Sequence, residues 1–174
     1  DWWNYGGITR DVKLIETQET YIADYQIQLD VKNQNIISGK IKHSGATKEN
    51  TNVVLEIDEL NIKQTFTTDK EGRINFKIKN NKISYWSPSN PKLYKVILKT
   101  HQDQVIDSIG FRTLETKGST ILLNGESIFL KGISIHEESP IKGGRSSSIE
   151  DAIQLLEYAK SLGCNYVRLA HYPH

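Results

Sequence analysis

"NYVRLAHYPH", residues 165–174, is the stretch on which the reading of the fold turns. Val167 and Leu169 alternate with Arg168 and Ala170, which is the period-two rhythm of a strand. Just upstream, Ile149, Ala152, Ile153, Leu156, Ala159 and Leu162 recur at helical spacing. Ser148 and Asp151 form an S-x-x-D capping box at the start of that helix, and Gly163 ends it. Before the helix, "GISIHEES" (132–139) alternates again as a strand. Strand, helix and strand with short links form a βαβ unit, whose two strands run parallel. Two strands and a helix do not close a core, so the pattern resembles the opening of a (β/α)8 barrel cut off after its second strand.

Strand parity then sorts the side chains. Val167 and Leu169, like Ile133 and Ile135, are expected to face the helices, leaving Arg168, Ser134 and His136 on the barrel side. A guanidinium inside a barrel is costly unless a carboxylate or a substrate meets it. His136 stands at the carboxyl end of one strand and His171 just past that of the next, the face on which barrel enzymes build their sites. Arg168, His136 and His171 are therefore the candidate site residues. Glu137 and Glu138 are adjacent, so their side chains point to opposite faces and cannot flank one bond as a catalytic pair. The His-His spacing matches no standard metal-ligand pattern, and no metal or other cofactor is expected.

Further upstream, "STILLNGESIFLKG" (119–132) is a hairpin, with Asn124-Gly125 as a two-residue turn that needs positive φ at both positions. Residues 15–114 keep period two through "TYIADYQIQLDV", "IISGKIKHSG", "NVVLEIDEL", "IKQTFTTD", "RINFKIKN", "KLYKVILKTH" and "VIDSIGFRT". Turn signals separate them at Ser44-Gly45, Asp69 to Gly72, Asn80-Asn81 and Pro88 to Pro91. Roughly seven short strands in about 100 residues predict an immunoglobulin-like sandwich, held by packing because no cysteine pair crosses it. "YWSPSNPKLY" is expected to carry the chain between sheets, with Trp86 as an apolar plug.

Composition excludes several classes. The 174 residues are 37% hydrophobic with a net charge of +1, enough for one or two modest cores. No basic block argues for nucleic acid, and no apolar run approaches the roughly 18 residues that span a bilayer. The single Cys164 reads as a small buried side chain. "DWWNYGG" lacks an initiator Met and reads as the middle of a longer chain, so the compartment stays open.

Five stretches resemble glycoside hydrolase family 2, the family of β-galactosidases, β-glucuronidases and β-mannosidases. They are "DWWNYGGITRDVKL", "WSPSNPKLY", "GFRTLE", "LLNGESIFLKGISIHEESP" and above all "NYVRLAHYPH", which matches the family signature Asn-x-x-Arg-x-x-His-Tyr-Pro. The resemblance implies three parts: 1–14 as the end of a jelly-roll sugar-binding domain, 15–114 as the sandwich, and 115–174 as the beginning of the TIM-barrel catalytic domain. It implies retaining hydrolysis of a β-glycosidic bond by two glutamates about 5 Å apart, both on later barrel strands beyond residue 174. Arg168 then corresponds to the arginine that keeps the nucleophile ionised and oriented, and His136 and His171 to histidines that meet the sugar. Ser134 departs from the Asn or Asp that many members carry before the strand-one histidine.

The implied partner is a β-linked sugar, most simply a β-galactoside, with no nucleic acid and no membrane, and with room for a homo-oligomer. Export to the periplasm or outside the cell is an expectation by analogy alone. The rival reading from another class is a non-catalytic carbohydrate-binding or interaction module, with Trp2, Trp3, Tyr85 and Trp86 as stacking aromatics.

Overall fold

The structure is a computed structural model that describes residues 7–8, 11–139, 143–146 and 148–169. It divides into two compact units, residues 15–128 and a second made of 1–14 with 129–174.

The first unit opens with β1 (Thr20–Asp30), β2 (Asn33–Gly45), β3 (Asn52–Ile57), β4 (Ile62–Thr67), β5 (Arg73–Lys79), β6 (Tyr94–Lys99) and β7 (Gln104–Ile109). They form two antiparallel sheets, ordered β1-β2-β5 and β4-β3-β6-β7. All seven strands expected from the alternation are present. The fourth stays beside the third because only one 3-10 turn (Asp58–Leu60) and Asn61, in the left-handed region at φ 54°, link them. So tight a link does not reach the facing sheet about 10 Å away.

Alternation along each strand turns one row of apolar side chains inward. Ile37, Ile41, Val53, Leu55, Ile57, Val96, Leu98 and Phe111 are at most 2% exposed. Each contributes about 1.5–3 kcal/mol by leaving water. Polar bonds tie β1 to the other sheet: Ile22 N–H donates to Asp103 Oδ2 (2.7 Å), and the Tyr25 hydroxyl to Asp107 Oδ2 (2.8 Å). The Asp107 carboxylate accepting that bond holds the Tyr25 phenol above its ordinary pKa.

The link from β5 to β6 crosses between the sheets, as expected. Trp86 N–H donates to the Phe111 carbonyl, and its ring lies against Gly110, where an added Cβ would stand 2.8 Å from Cδ1. The Arg112 guanidinium covers the ring at 4.9 Å. Trp86 is thus a structural plug held between Gly110 and Arg112.

A meander of β8 (Leu114–Lys117), β9 (Thr120–Leu123) and β10 (Glu126–Ser127) follows. Its Asn124-Gly125 turn has φ of 55° and 85°, the double positive φ read from the sequence. Asn124 also ties the meander to the segments that follow β5 and β7. Its Oδ1 accepts from Thr113 N–H (3.1 Å) and its Nδ2 donates to the Trp86 carbonyl (3.0 Å).

The second unit holds β11 (Gly132–Ile135), a short antiparallel pair of β12 (Glu138–Ser139) and β13 (Gly144–Arg145), then α1 (Ile149–Ser161) and β14 (Tyr166–Leu169). Both halves of the capping box form: Ser148 Oγ accepts from Asp151 N–H (3.2 Å), and Asp151 Oδ2 from Ser148 N–H (3.3 Å). β11 and β14 are parallel, as the βαβ reading requires.

The expected apolar helix face is covered only in part. Of its six residues Ala159 is buried, whereas Ile149, Ala152, Ile153, Leu156 and Leu162 stay exposed; the covered strip runs instead through Asp151, half-buried Leu155 and Ala159. Two strands about 5 Å apart make a platform narrower than a helix about 10 Å across, so one strip of α1 finds a partner.

Candidate functional site

The candidate site is built on the β11–β14 pair, whose register is Gly132↔Tyr166, Ile133↔Val167, Ser134↔Arg168 and Ile135↔Leu169. Paired residues share a face of the sheet. Ile133 and Val167, half-buried, occupy one face, and Ser134 and Arg168, exposed, the other. Arg168 is exposed and makes no hydrogen bond or ion pair with another described residue. His136 follows β11 directly and is half-buried. His171 lies outside the described residues.

Two residues without an assigned role in the sequence reading position this pair. Asn165 clamps the strand starts: its Oδ1 accepts from Lys131 N–H (2.8 Å), its Nδ2 donates to the Phe129 carbonyl (3.0 Å), and its own N–H donates to the Lys131 carbonyl (2.9 Å). Gly132 lies under the Tyr166 ring, where an added Cβ would stand 2.5 Å from Cδ1 and 2.9 Å from the Tyr166 carbonyl oxygen. The clue to both was position, since Asn165 directly precedes β14 and Gly132 opens β11.

Beyond His136, Glu137 pairs with Arg145 (3.4 Å) and its carbonyl accepts from Ser146 N–H (2.6 Å). Glu137 and Glu138 both stand at or beside the β12–β13 pair, away from the β11–β14 register. Among the described residues no three His, Cys, Asp or Glu side chains converge as a metal site requires, and no helix is long and apolar enough to cross a membrane. Two of the four stacking aromatics of the rival reading are engaged elsewhere. Trp86 is sandwiched as described, and Tyr85 packs against the core; Trp2 and Trp3 lie outside the described residues.

This order of elements has a match. The model of glycosyl hydrolases family 2 fits residues 20–112, and that of the family's TIM barrel domain fits residues 114–174. The chain belongs to glycosyl hydrolases family 2. Its sandwich is the family's immunoglobulin-like domain, and the βαβ unit is the start of the family's barrel domain.

Curated relatives include a β-galactosidase of Actinobacillus pleuropneumoniae, 29% identical over 177 residues, which cover 99% of this chain and 17% of the relative. A β-glucuronidase of Paenibacillus borealis is 29% identical over 182 residues, covering 100% and 29%. Among solved structures, a family 2 β-galacturonidase of Eisenbergiella tayi bound to galacturonate superposes with a TM-score of 0.75 at 26% identity, covering 91% of this chain and 30% of that one. The chain thus spans less than a third of the length of each.

Proposed function

We propose that the protein containing these residues is a retaining β-glycosidase acting on terminal β-linked sugars, with a β-galactoside as substrate. In this reading residues 1–14 end a jelly-roll domain, 15–114 are the sandwich, and 115–174 begin the catalytic barrel. The acid/base and nucleophilic glutamates come from later barrel strands beyond residue 174. One carboxylate attacks the anomeric carbon while the other protonates the departing oxygen, and water then releases the sugar from the glycosyl-enzyme. The 174 residues alone are inactive.

The observation that supports this best is the pairing of Ser134 with Arg168, which sets a free guanidinium one residue pair from the end where His136 follows β11. A cation there favours the ionised form of a neighbouring carboxylate, which a nucleophile needs. His136 and His171 bind sugar hydroxyls. A β-glucuronide is the second reading, because a glucuronidase relative matches as well as the galactosidase does.

Both are tested by expressing the whole reading frame and comparing kcat/KM on p-nitrophenyl β-galactoside and β-glucuronide. Faster cleavage of the galactoside, with retained anomeric configuration by NMR, is expected. An inverted product, or hydrolysis by residues 1–174 above a boiled control, overturns the assignment.

A further inference from the structure

The outer face of the β1-β2-β5 sheet carries a net positive charge. Three rows run across it in register: Asp24, Lys42 and Arg73; then Gln26, Lys40 and Asn75; then Gln28, Ser38 and Lys77. Lys79 extends the third strand of the face, and Asp30 lies at the end of the first. Five of the chain's 22 Lys and Arg stand here against two of its 21 Asp and Glu, so the remainder of the chain is net acidic. Asp30 is already engaged by Lys77. Lys40, Arg73 and Lys79 are exposed with no hydrogen bond or ion pair from their side chains to a described residue.

The relief of this face is as informative as its charge. Two shallow troughs meet along it and share Gln26, Lys40 and Asn75 as lining. From Arg73 to Lys77 the shared furrow runs about 14 Å along β5. In these three rows cations alternate with amides and a hydroxyl, and none of their side chains is aromatic. A ligand matching this has single negative charges spaced by neutral groups that hydrogen-bond. Single-stranded nucleic acid calls instead for stacking rings, and duplex DNA for a denser row of cations.

We propose that the outer face of β1-β2-β5 binds a carboxylated polysaccharide, a chain of uronate sugars laid along the furrow and on past Lys77, with carboxylates on Arg73 and Lys40 in the furrow and on Lys79 beyond its end, and hydroxyls on Gln26, Gln28 and Asn75. This surface is separate from the β11–β14 pair and does not depend on which glycosidic bond the parent protein cleaves. It holds polymer; it does not cut it.

The test is affinity electrophoresis of residues 1–174 in gels containing polygalacturonate, paired with NMR titration. Retardation that disappears between 0.05 and 0.5 M NaCl is expected, as screening of exposed charges requires. The triple substitution K40Q/R73Q/K79Q weakens binding at least fivefold. A control that removes the same charge elsewhere, K70Q/K95Q/K117Q, leaves it within twofold. If the triple variant fails to fold, shift changes in the unaltered chain confined to outward residues of β1, β2 and β5 carry the same information. Absence of retardation, equal loss in both variants, shift changes away from this face, or tighter binding of a duplex DNA oligonucleotide each overturns the proposal.

Discussion

Replacing Asn124 tests the joint between the sandwich and its meander with one side chain. Asn124→Ala removes two hydrogen bonds, at 3.1 Å to Thr113 N–H and 3.0 Å to the Trp86 carbonyl. Each contributes about 0.5–1.5 kcal/mol, and more where a buried partner is left without a replacement, as Thr113 would be. Alanine must also hold φ near 55°, a left-handed conformation that costs about 1–2 kcal/mol without an Asn side chain or a glycine. The sum is about 2–5 kcal/mol. Asn124→Gly loses the same bonds but not the backbone term, so it should be milder by about 1 kcal/mol. Asn124→Asp keeps the acceptor and loses the donor, placing it between the parent and glycine. Because the chain has two units, a single melting curve does not isolate the effect. Native-state hydrogen exchange of the Val96 and Leu98 amides in β6 reads the sandwich unit directly, and the Thr113 amide reads the lost bond. A change below about 0.5 kcal/mol in Asn124→Ala, or Asn124→Gly as damaging as Asn124→Ala, would refute the reasoning.

Other outcomes follow from the same structure. His43 is fully buried with neither ring nitrogen hydrogen-bonded among the described residues, and burial holds its pKa below the ordinary value, with Asp103 partly opposing. The unfolded chain then takes up the proton first, so His43 adds no pH-dependent cost above about pH 6.5 and destabilises further as pH falls below it. His43→Leu should flatten the pH dependence, between pH 7.5 and 5.5, of the sandwich stability read from hydrogen exchange of the Val96 and Leu98 amides; an unchanged slope counts against this. Glu56 is held below its ordinary pKa by hydrogen bonds from Lys99 (2.7 Å) and Lys63 (2.9 Å), so its support persists until the pH drops below about 4.5. Gly132→Val drives a side chain into Tyr166 and should raise proteolysis within 129–169 while leaving β6 protection unchanged. If the whole protein is the proposed glycosidase, Arg168→Ala should lower kcat at least tenfold and move the acidic limb of its pH profile up by about one to three units, as loss of a neighbouring cation requires. A uniform loss of rate with no movement of that limb would make Arg168 a structural residue.

The sandwich was legible because its signals are local. Inward residues such as Ile37, Ile41, Leu55 and Leu98 recur every second position, and the turns at Gly45, Gly72 and Asn124-Gly125 take the positive φ that their residue types allow. What stayed hidden was pairing between distant segments. Nothing in the sequence of β4 says whether it joins β3 or β5; the short link through Asn61 decides it. Likewise the rhythm of α1 gives a complete apolar face, but burial depends on how much sheet lies beneath it, and period alone does not carry that quantity.

At the candidate site, parity identified the shared face of Ser134 and Arg168, because alternation is a property of the strand itself. Register is a relation between two strands 34 residues apart, and it is fixed by Asn165. All three of its bonds reach the segment entering β11, to Phe129 and Lys131. A slip of β14 by one residue would break them together and turn Arg168 to the face of Ile133. The tight fit of Gly132 beneath Tyr166 opposes the same slip from the other face of the contact. Asn165 and Arg168 stand three residues apart in one signature for a physical reason: the first aligns the strand, and alignment gives the second its direction.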